Sequence, residues 1–283
     1  MLASKSNEFG LLIQSHVARF SASYGATVTP AENAYGSYAT VLAGGSVTDD
    51  AFGIFVFIHG IGVATLAKDA LVTIGVDPAG GTSFTDLIPD LIASSAGAID
   101  TVSAGAGIMY WFPLKIKAGS TIGAKASVNN ATVGTAQVAV ILQCRPSHPH
   151  LVRAGTFVRA FGITAATSKG TAITTGTTSD GTYVQMGSAL AEPLWFFQAA
   201  LARNDNAMGY AQVAIDLAIG SSTSVNRQII FDQMVWTTTS EMINAQYNGV
   251  FANGAVGDLL FVRGQTSGTG TTNWSAAAYG VGG

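Results

Sequence analysis

The chain has 283 residues, which predicts two domains of ordinary size, with one large all-β domain as the alternative. Only 10% of its residues are charged, against about 25% in an ordinary soluble domain. Its net charge of −3 comes without a cluster of Lys and Arg, so we expect no nucleic-acid binding, which needs basic side chains against phosphate. The single cysteine, Cys144, excludes an intrachain disulfide and a multi-cysteine zinc site, and we expect it to pack in a core.

The composition favours strands over helices. Gly, Ala, Ser and Thr fill the chain, and 34 Gly are spread along its whole length. Each Gly costs a helix interior about 1 kcal/mol relative to Ala, whereas short strands joined by Gly-rich turns tolerate it. So little charge also predicts a surface buried against neighbouring subunits, although a Ser/Thr-coated extracellular sandwich would have the same composition.

The N-terminus and the most apolar stretch predict neither a targeting nor a membrane segment. Residues 1–8 lack the charged start and the apolar run of a secretory signal. Ala51 to Ala67 is shorter than the roughly 20 apolar residues of a membrane helix and is interrupted by Gly and His. We therefore expect no membrane insertion, and synthesis and folding in a cytoplasm.

The elements predicted in chain order are at most one short helix and then a series of strands. Asn7 to Ala22 spaces its apolar residues for one amphipathic helix. Asp86 to Ile92 is broken by Pro89 and predicts a turn and a strand. The other predicted strands, each β-branched or aromatic and bounded by turn residues, are Phe55–Ile58, Ala70–Ile74, Gln137–Leu142, Gln212–Leu217 and Leu259–Val262.

Blocks of sequence recur in the same order, which predicts an internal duplication. Any single match is weak in a chain so rich in Gly, Ala and Thr, so the inference depends on their common order. The matches are Gly25–Thr29 with Gly170–Thr174, Gly36–Tyr38 with Gly181–Tyr183, Phe55, Ala70, Val72 and Ile74 with Phe196, Ala211, Val213 and Ile215, Ile88 and Asp90 with Ile230 and Asp232, and Gly119–Lys125 with Gly257–Arg263.

The boundary between the copies is predicted at Arg145–His150, where two prolines favour an extended connector. The chain is therefore predicted to be all-β, with two tandem β-sandwich domains at residues 1–146 and 147–283. Period-two alternation directs one set of side chains in each copy into a core, namely Val138, Val140 and Leu142, and Val213, Ile215 and Leu217.

Tyr110 to Ser127 predicts a strand, a tight Gly turn and a second strand. Its order of an aromatic residue, Pro113, an apolar pair, Ala-Gly-Ser and an alternating strand with Lys125 resembles a stretch of the jelly-roll virion proteins of tailed bacteriophages and gene-transfer particles. The second copy keeps the turn and strand but has Asn248-Gly249-Val250-Phe251 before them. A common hairpin turn is the alternative explanation of this segment.

The resemblance implies jelly-roll-like sandwiches and a non-enzymatic structural role in a virion, as a decoration, spike, collar or tail component. The shortage of charge and of Lys to protect sheet edges predicts a symmetric homo-oligomer, and the resemblance favours a trimer. The resemblance further implies contacts with other virion proteins and assembly in the bacterial host cytoplasm. The alternative is a module of the virion that binds a host glycan or receptor through loops of the sandwich.

The histidines and Cys144 do not form a predicted catalytic or metal centre. Nucleophilic hydrolysis needs a positioned base and a third group, and no G-x-S-x-G elbow occurs. His148 and His150 flank Pro149 in the predicted connector. Such an H-x-H pair needs a further ligand to bind zinc. The four histidines are His16, His59, His148 and His150.

The acidic and glycine motifs also have structural explanations. Asp49-Asp50 and the pair Asp86 and Asp90 could be carboxylates of a glycosidase or a calcium loop, but no D-x-D-x-D-G pattern occurs and turn caps explain them. Gly105-Ala106-Gly107 lacks the Gly-Lys-Ser/Thr of a phosphate loop. We therefore predict no enzyme, no cofactor, and no catalytic or metal-binding residue.

Aromatic side chains could bind sugar if they were exposed. In runs with strand neighbours they are more often core or interface residues, which is our interpretation. The candidates are Tyr110-Trp111-Phe112, Trp195-Phe196-Phe197, Trp236 and Trp274.

Overall fold

The computed structural model describes residues 12–14, 25–62, 68–95, 108–128, 135–144, 153–203, 211–221, 227–238, 243–244, 249–267 and 274–283. These residues form strands and turns, with one 3-10 turn at Gly44–Ser46 and no α-helix. The chain is all-β and sandwich-like, as its composition predicts. In this part of the chain no helix is long and apolar enough to cross a membrane.

Residues 12–144 form two five-stranded sheets around one core. Sheet I has the order β1-β10-β5-β8, with β2 also paired to β10, and sheet II has the order β3-β9-β6-β7, with β4 also paired to β9. Val56 and Val140 of sheet I and Val72 of sheet II meet in that core. The strands are β1 (Leu12–Gln14), β2 (Ala26–Val28), β3 (Ala31–Glu32), β4 (Ala39–Leu42), β5 (Ala51–Gly62), β6 (Lys68–Asp77), β7 (Thr85–Ser95), β8 (Ile108–Phe112), β9 (Thr121–Val128) and β10 (Thr135–Cys144).

Residues 157–282 form two further sheets with a core of their own. Sheet III has the order β11-β20-β14-β18, with β12 also paired to β20, and sheet IV has the order β13-β19-β15-β16-β17. Phe197 and Ala278 of sheet III meet Ile215 of sheet IV in this second core. The strands are β11 (Phe157–Phe161), β12 (Thr171–Ile173), β13 (Val184–Gln185), β14 (Leu194–Arg203), β15 (Ala211–Gly220), β16 (Arg227–Thr238), β17 (Ile243–Asn244), β18 (Gly249–Gly254), β19 (Leu259–Thr266) and β20 (Trp274–Gly282).

The two halves have the same pairing order. In the first half the last strand, β10, pairs with the short strands β1 and β2 on one side and with the long strand β5 on the other, and β8 lies at the edge. In the second half β20 pairs in the same way with β11 and β12 and with β14, and β18 lies at the edge. In the other sheet, β9 or β19 pairs with β6 or β15, and β7 or β16 lies beyond it. The matched blocks predict such a shared order, while duplication of the sequence stays a prediction. The predicted boundary at 145–150 lies outside the described residues.

A β-bulge occurs at the same place in each half and identifies corresponding residues. In β7, Asp90 has a φ of 58°, and its N–H donates to Thr73 Oγ1 at 3.1 Å. In β16, Gln233 has a φ of 53°, and its N–H donates to Asp216 Oδ1 at 2.8 Å. A positive φ is uncommon outside Gly, so this match of conformation and hydrogen bond makes Gln233 the counterpart of Asp90. The sequence match of Asp90 with Asp232 is wrong by one residue.

The pairing register also corrects the matched blocks in the central strands. Val72 pairs with Ala126 and Ile215 pairs with Gly264, and both partners are five residues after the first residue of β9 or β19. Val72 therefore corresponds to Ile215, and its match with Val213 is wrong by two residues. Because side chains alternate with a period of two, this displacement leaves each residue on the predicted face.

The predicted core faces are confirmed, and the predicted N-terminal helix is not. Leu12–Gln14 pairs with β10 as a strand, so a helix through Asn7 to Ala22 is wrong at these residues, because sheet pairing prevails over a weak helical pattern. The rest of that span lies outside the described residues. All of Asp86 to Ile92 lies within β7, so the predicted strand is confirmed and the predicted turn is wrong. The six predicted core side chains are all at most 1% exposed, namely Val138, Val140, Leu142, Val213, Ile215 and Leu217.

The outer face of sheet III packs on the edge strands β7 and β8 of the first half. The Tyr279 hydroxyl, from β20, donates to the carbonyl of Asp90 at 2.9 Å and accepts from the N–H of Ile92 at 2.8 Å. The Tyr110 hydroxyl donates to the carbonyl of Ile92 at 2.5 Å, and the ring of Phe112 lies edge-on to Tyr279. Residues of the second half that join the first core are Val158, Trp195, Phe196, Ala200, Ala202, Ala277, Tyr279 and Val281.

We expect Tyr279→Phe to lower the free energy of unfolding by about 1 to 3 kcal/mol, because it leaves the buried N–H of Ile92 unpaired. Tyr183→Phe is the matched control, since the buried Tyr183 hydroxyl has no hydrogen-bond partner among the described residues. Chemical denaturation of both variants measures the difference. Equal losses in the two variants would show that the Tyr279 hydroxyl does not hold the halves together.

Candidate functional site

The residues that the sequence suggested for nucleophilic or metal chemistry do not form a common site in the described part of the chain. His59 lies in β5 beside the ring of Phe57, and Cys144 is buried at the end of β10. In the same ranges no group of three or more His, Cys, Asp or Glu could hold a metal ion. The candidates outside the described residues are His16, His148, His150 and Gly105-Ala106-Gly107.

The acidic pairs have two different roles. Asp50 Oδ1 accepts from the N–H of Ala118 at 2.8 Å and Asp49 Oδ2 accepts from the Thr48 hydroxyl at 2.9 Å, and their interpretation as turn caps stays a prediction. Asp86 and Asp90 lie inside β7, so their interpretation as turn caps is wrong. Their side chains bond partners on the outer face of sheet II.

The aromatic runs belong mainly to the cores, as interpreted from the sequence. Trp111 is half-buried and meets the ring of Phe196 edge-on at 5.3 Å, at the contact between the halves. The other members are buried, namely Tyr110, Phe112, Trp195, Phe196, Phe197, Trp236 and Trp274.

A group of polar and aromatic residues on the outer face of sheet II, the first cation cluster, consists of Tyr35, Tyr38, Asp86, Asp90 and Lys125. Lys125 Nζ donates to both oxygens of Asp86, at 2.9 and 3.2 Å, and lies over the rings of Tyr38 at 4.8 Å and Tyr35 at 5.2 Å. The Tyr38 hydroxyl donates to Asp86 at 2.5 Å, and the Tyr35 hydroxyl donates to Asp90. Each charged group of the cluster therefore has a partner within it.

The environment shifts the pKa values of the two carboxyls in opposite directions. Burial opposes ionisation of Asp86, but hydrogen bonds from Tyr38 and Lys125 and the charge of Lys125 outweigh it and lower its pKa. Burial, together with the nearby charge of Asp86, raises the pKa of Asp90 despite the hydrogen bond from Tyr35. Burial and the bonded carboxylates also raise the pKa of both tyrosines, so neither is a base at neutral pH.

The second cation cluster lies at the corresponding place on sheet IV and consists of Asp180, Tyr183, Asp216, Arg227 and Arg263. Arg263 contacts Asp216 at 2.7 Å and Asp180 at 2.9 Å. Its guanidinium lies 4.6 Å from the Tyr183 ring, which Arg227 approaches at 4.4 Å. In each cluster a cation lies over an aromatic ring and beside a carboxylate, an arrangement that stabilises the sheet that carries it.

The sequence showed part of these clusters without showing that they form. Lys125 and Arg263 were aligned as basic residues, and Tyr38 and Tyr183 were aligned in another block. Each Tyr is 80 residues or more from its cation, a separation across which sequence spacing cannot establish contact. Only the sheet register brings the two matched blocks together.

The outer side of sheet I presents the apolar face, which consists of Phe55, Phe57, Met109, Trp111, Ala139 and Ile141. Phe57 pairs with Met109 on one side and with Ala139 on the other, and Phe55 pairs likewise with Trp111 and Ile141. Phe57 is 37% exposed and Met109 38% exposed. The sequence of β5 carries apolar residues at both alternating positions. This pattern predicts a strand, and it also indicates an apolar outer side.

The other large exposed apolar side chains among the described residues lie on the second half. They are Ile229 and Val235 of β16, Phe251 of β18, and Val256 in the turn that follows. Phe251 is 67% exposed although it touches Trp195 and Phe196. Ile229 and Val235 lie on the outer side of sheet IV. Phe251 lies on the outer side of sheet III and is joined through Phe196 to Trp111 of the apolar face. These exposed apolar side chains are the candidate binding surfaces of the molecule.

No protein-family profile and no curated protein matches the chain. Among solved structures, PNGase F, a glycosylasparaginase from Flavobacterium meningosepticum, has a TM-score of 0.36 at 9% identity over 91% of this chain and 96% of its own. The tandem CBM22 domains of Paenibacillus barcinonensis Xyn10C give 0.26 at 12% over 96% and 93%. Infectious bursal disease virus, Gx strain, gives 0.27 at 10% over 97% and 73%. TM-scores this low carry no inference about function.

The opposite pKa shifts predict opposite pH dependences for two variants. Asp86, with its lowered pKa, stabilises the fold above its unfolded pKa of about 4, and this contribution is lost as the pH falls through the folded value. Asp86→Asn should therefore reduce the loss of stability below about pH 4. Asp90, with its raised pKa, lowers stability as the pH rises from about 4 through its folded pKa, so Asp90→Asn should remove that decline.

Denaturation midpoints of both variants and the parent between pH 2.5 and 8 measure these slopes. Asp49→Asn, at an exposed turn outside the cluster, is the control for removal of one carboxylate. Parallel curves for all four proteins would contradict the assigned roles of Asp86 and Asp90.

Proposed function

We propose that the chain is a non-enzymatic structural subunit of a tailed-bacteriophage virion, a decoration, spike, collar or tail component that acts as an oligomeric scaffold. The observation that carries the proposal is the apolar face. An outward side of a sheet that exposes Phe57 and Met109 beside the half-buried Phe55 is suited to contact with protein, and exposed apolar patches mark such interaction surfaces.

The polar residues support the same proposal. The carboxylates of Asp86 and Asp216 are held by Lys125 and Arg263, so the clusters stabilise the sheets that carry them. Only 10% of the residues are charged, and several of these are paired in the clusters. Little charge is therefore left on the surface of the two sandwiches to prevent association with other copies. Assembly removes the apolar surface from water.

The location in a virion comes from the resemblance of Tyr110 to Ser127 to phage jelly-roll proteins. That segment is the strand β8, a turn in which Gly119 has a φ of 83°, and the strand β9. Gly257 has a φ of 90° in the corresponding turn of the second half. Both turns need a residue that tolerates positive φ, which explains the glycine of the segment on physical grounds.

The virion role is tested on particles purified by density gradient from the source of this sequence. We expect peptides of the chain in the particle fraction, and gold-labelled antibody at one repeated position on the particles. Recovery of the chain only from the fraction without particles would contradict the proposal. Binding of the isolated protein to a glycan array would instead support the alternative, a host glycan or receptor module.

The assembly is tested by light scattering on Phe57→Glu. We expect the parent to be an oligomer, a trimer with three times the chain mass of 28.9 kDa, and to stay associated in high salt because apolar contacts are not screened. A buried carboxylate at position 57 should release subunits of 28.9 kDa. Thr40→Glu, on an exposed position of β4, is the matched control that should leave the oligomer intact. A parent protein that is monomeric on dilution from high concentration would contradict the scaffold.

A further inference from the structure

We propose that Asp90 is a proton-sensitive switch at the junction between the two halves of the chain. With a protonated Asp90 carboxyl the second half is held closely on β7, and ionisation of that carboxyl loosens the contact. Asp90 lies in this edge strand at the place where the second half covers the first. The inference goes beyond the proposed function and does not depend on it, since it concerns only how the two sandwiches of one chain are joined.

The backbone of Asp90 takes part directly in the junction. Its carbonyl accepts from the Tyr279 hydroxyl at 2.9 Å, and the same hydroxyl accepts from the N–H of Ile92 at 2.8 Å. Its N–H donates to Thr73 Oγ1 at 3.1 Å, within the first half. A φ of 58° is rare outside Gly, so Asp90 keeps this conformation through the bonds on either side of it. A change at Asp90 is therefore transmitted to Tyr279.

The side chain of Asp90 leads to a second contact with the other half. Its carboxyl accepts from the Tyr35 hydroxyl, and the hydroxyl of Ser127 also lies within hydrogen-bonding reach of Tyr35. Ser127 is buried, and its hydroxyl donates to the carbonyl of Ala166 at 2.7 Å. Ala166 belongs to the bridging loop, residues 162–170 between β11 and β12. Asp90 is therefore connected to the second half both through its backbone and through its side chain.

The surfaces packed on β7 are apolar or neutral. Val158 and Ala160 of β11 lie against the first core. Tyr279 of β20 and Tyr110 of β8 add hydroxyls that stay neutral, because burial raises the pKa of both above its usual value. Lys169 is the one charged residue in the sequence of the bridging loop. Such surroundings offer little to replace the water that an ionised carboxyl would lose.

The pKa of the Asp90 carboxyl is raised by this burial, which is the largest influence on it. The hydrogen bond from Tyr35 favours ionisation, the charge of Asp86 in the same strand opposes it, and the charge of Lys125 in β9 favours it. The closed junction thus binds the proton of Asp90 more tightly than an opened one. The contact is strongest below about pH 4 and weakens as the pH rises through the folded pKa.

The corresponding place in the second half is built with an uncharged residue. Gln233 occupies that bulge with a φ of 53°, and its amide donates to Asp180 at 3.0 Å. In the matched blocks Asp180 stands where Tyr35 does, so donor and acceptor are exchanged. Gln233 is exposed, whereas Asp90 lies under the other half. Of the two bulges, the one with an ionisable side chain is therefore the one at the junction.

The test is hydrogen exchange of the full chain between about pH 4 and 8, with each rate corrected for the intrinsic exchange rate at that pH. Peptides that contain the N–H of Ile92 and the bridging loop report on the junction, and a peptide of β15 reports on the core of the second half. We expect junction exchange to increase about threefold or more as the pH rises, while β15 keeps its protection.

Asp90→Gln is the decisive variant, because the counterpart bulge accommodates Gln at a positive φ. It should abolish the pH dependence of exchange at the junction. Asp90→Asn, which keeps the size of the side chain, should do the same. Asp232→Asn removes an exposed carboxyl beside the counterpart bulge, so it is the matched control and should leave the profile of the parent unchanged.

Two further variants should move the transition in opposite directions. Asp86→Asn removes a charge that opposes ionisation of Asp90, so the rise in junction exchange should begin at a lower pH. Tyr35→Phe removes a hydrogen bond that favours the ionised carboxyl, so the rise should begin at a higher pH. A purely structural role of Asp90 would not produce this pair of shifts.

Three results would overturn the inference. The first is junction exchange in the parent that does not change with pH. The second is a pH dependence that Asp90→Gln and Asp90→Asn both retain, because another group would then be responsible. The third is an equal increase at the junction and in β15, which would show that the chain opens as a whole and that no switch is confined to the junction.

Discussion

A β-sandwich is open along its sides, where edge strands leave backbone groups and part of the core unprotected. In this chain the open side of the first sandwich, at β7 and β8, is closed by the outer face of sheet III. The Tyr279 hydroxyl bonds the backbone on both sides of Leu91, immediately after the bulge of β7. Because that face is occupied, nine consecutive residues of β20 are buried on both sides. The arrangement of the two halves depends on this contact.

The bulge connects the contact between the halves to the cation clusters. It places Asp90 so that its carbonyl accepts from Tyr279 while its carboxyl accepts from Tyr35. In the second half, Gln233 occupies the bulge and its amide donates to Asp180 at 3.0 Å. The two clusters use different residues for the same purpose, which is to pair the few charged groups of the chain on the outer sides of sheets II and IV.

The low charge of the chain follows from this architecture. Outer faces of sheets are usually covered with charged residues, yet here one outer face is consumed by the contact between the halves and another is the apolar face of Phe57 and Met109.

The sequence by itself determined the fold class and the direction of the core side chains. Short runs with period-two alternation, such as Val138 to Leu142, and Gly at turns of positive φ, such as Gly119, are local features whose physical cause lies within a few residues. Matched blocks also predicted an order that the two halves share. A shift of the matched blocks by an even number of residues could not be detected from the sequence, because it leaves every side chain on the same face of its strand.

Only the tertiary structure decided which surfaces are used. The bulge at Asp90, the pairing of Lys125 with Asp86 and the contact of Tyr279 with β7 join residues far apart in the chain, and no local pattern encodes such distances. The exposure of Phe57 is likewise not encoded locally. An apolar residue that points away from the core of its own sandwich is exposed in the first half and buried in the second. Whether a sheet face is covered depends on the elements packed against it. The sequence of one strand therefore cannot show it, and only the packing of the sheets does.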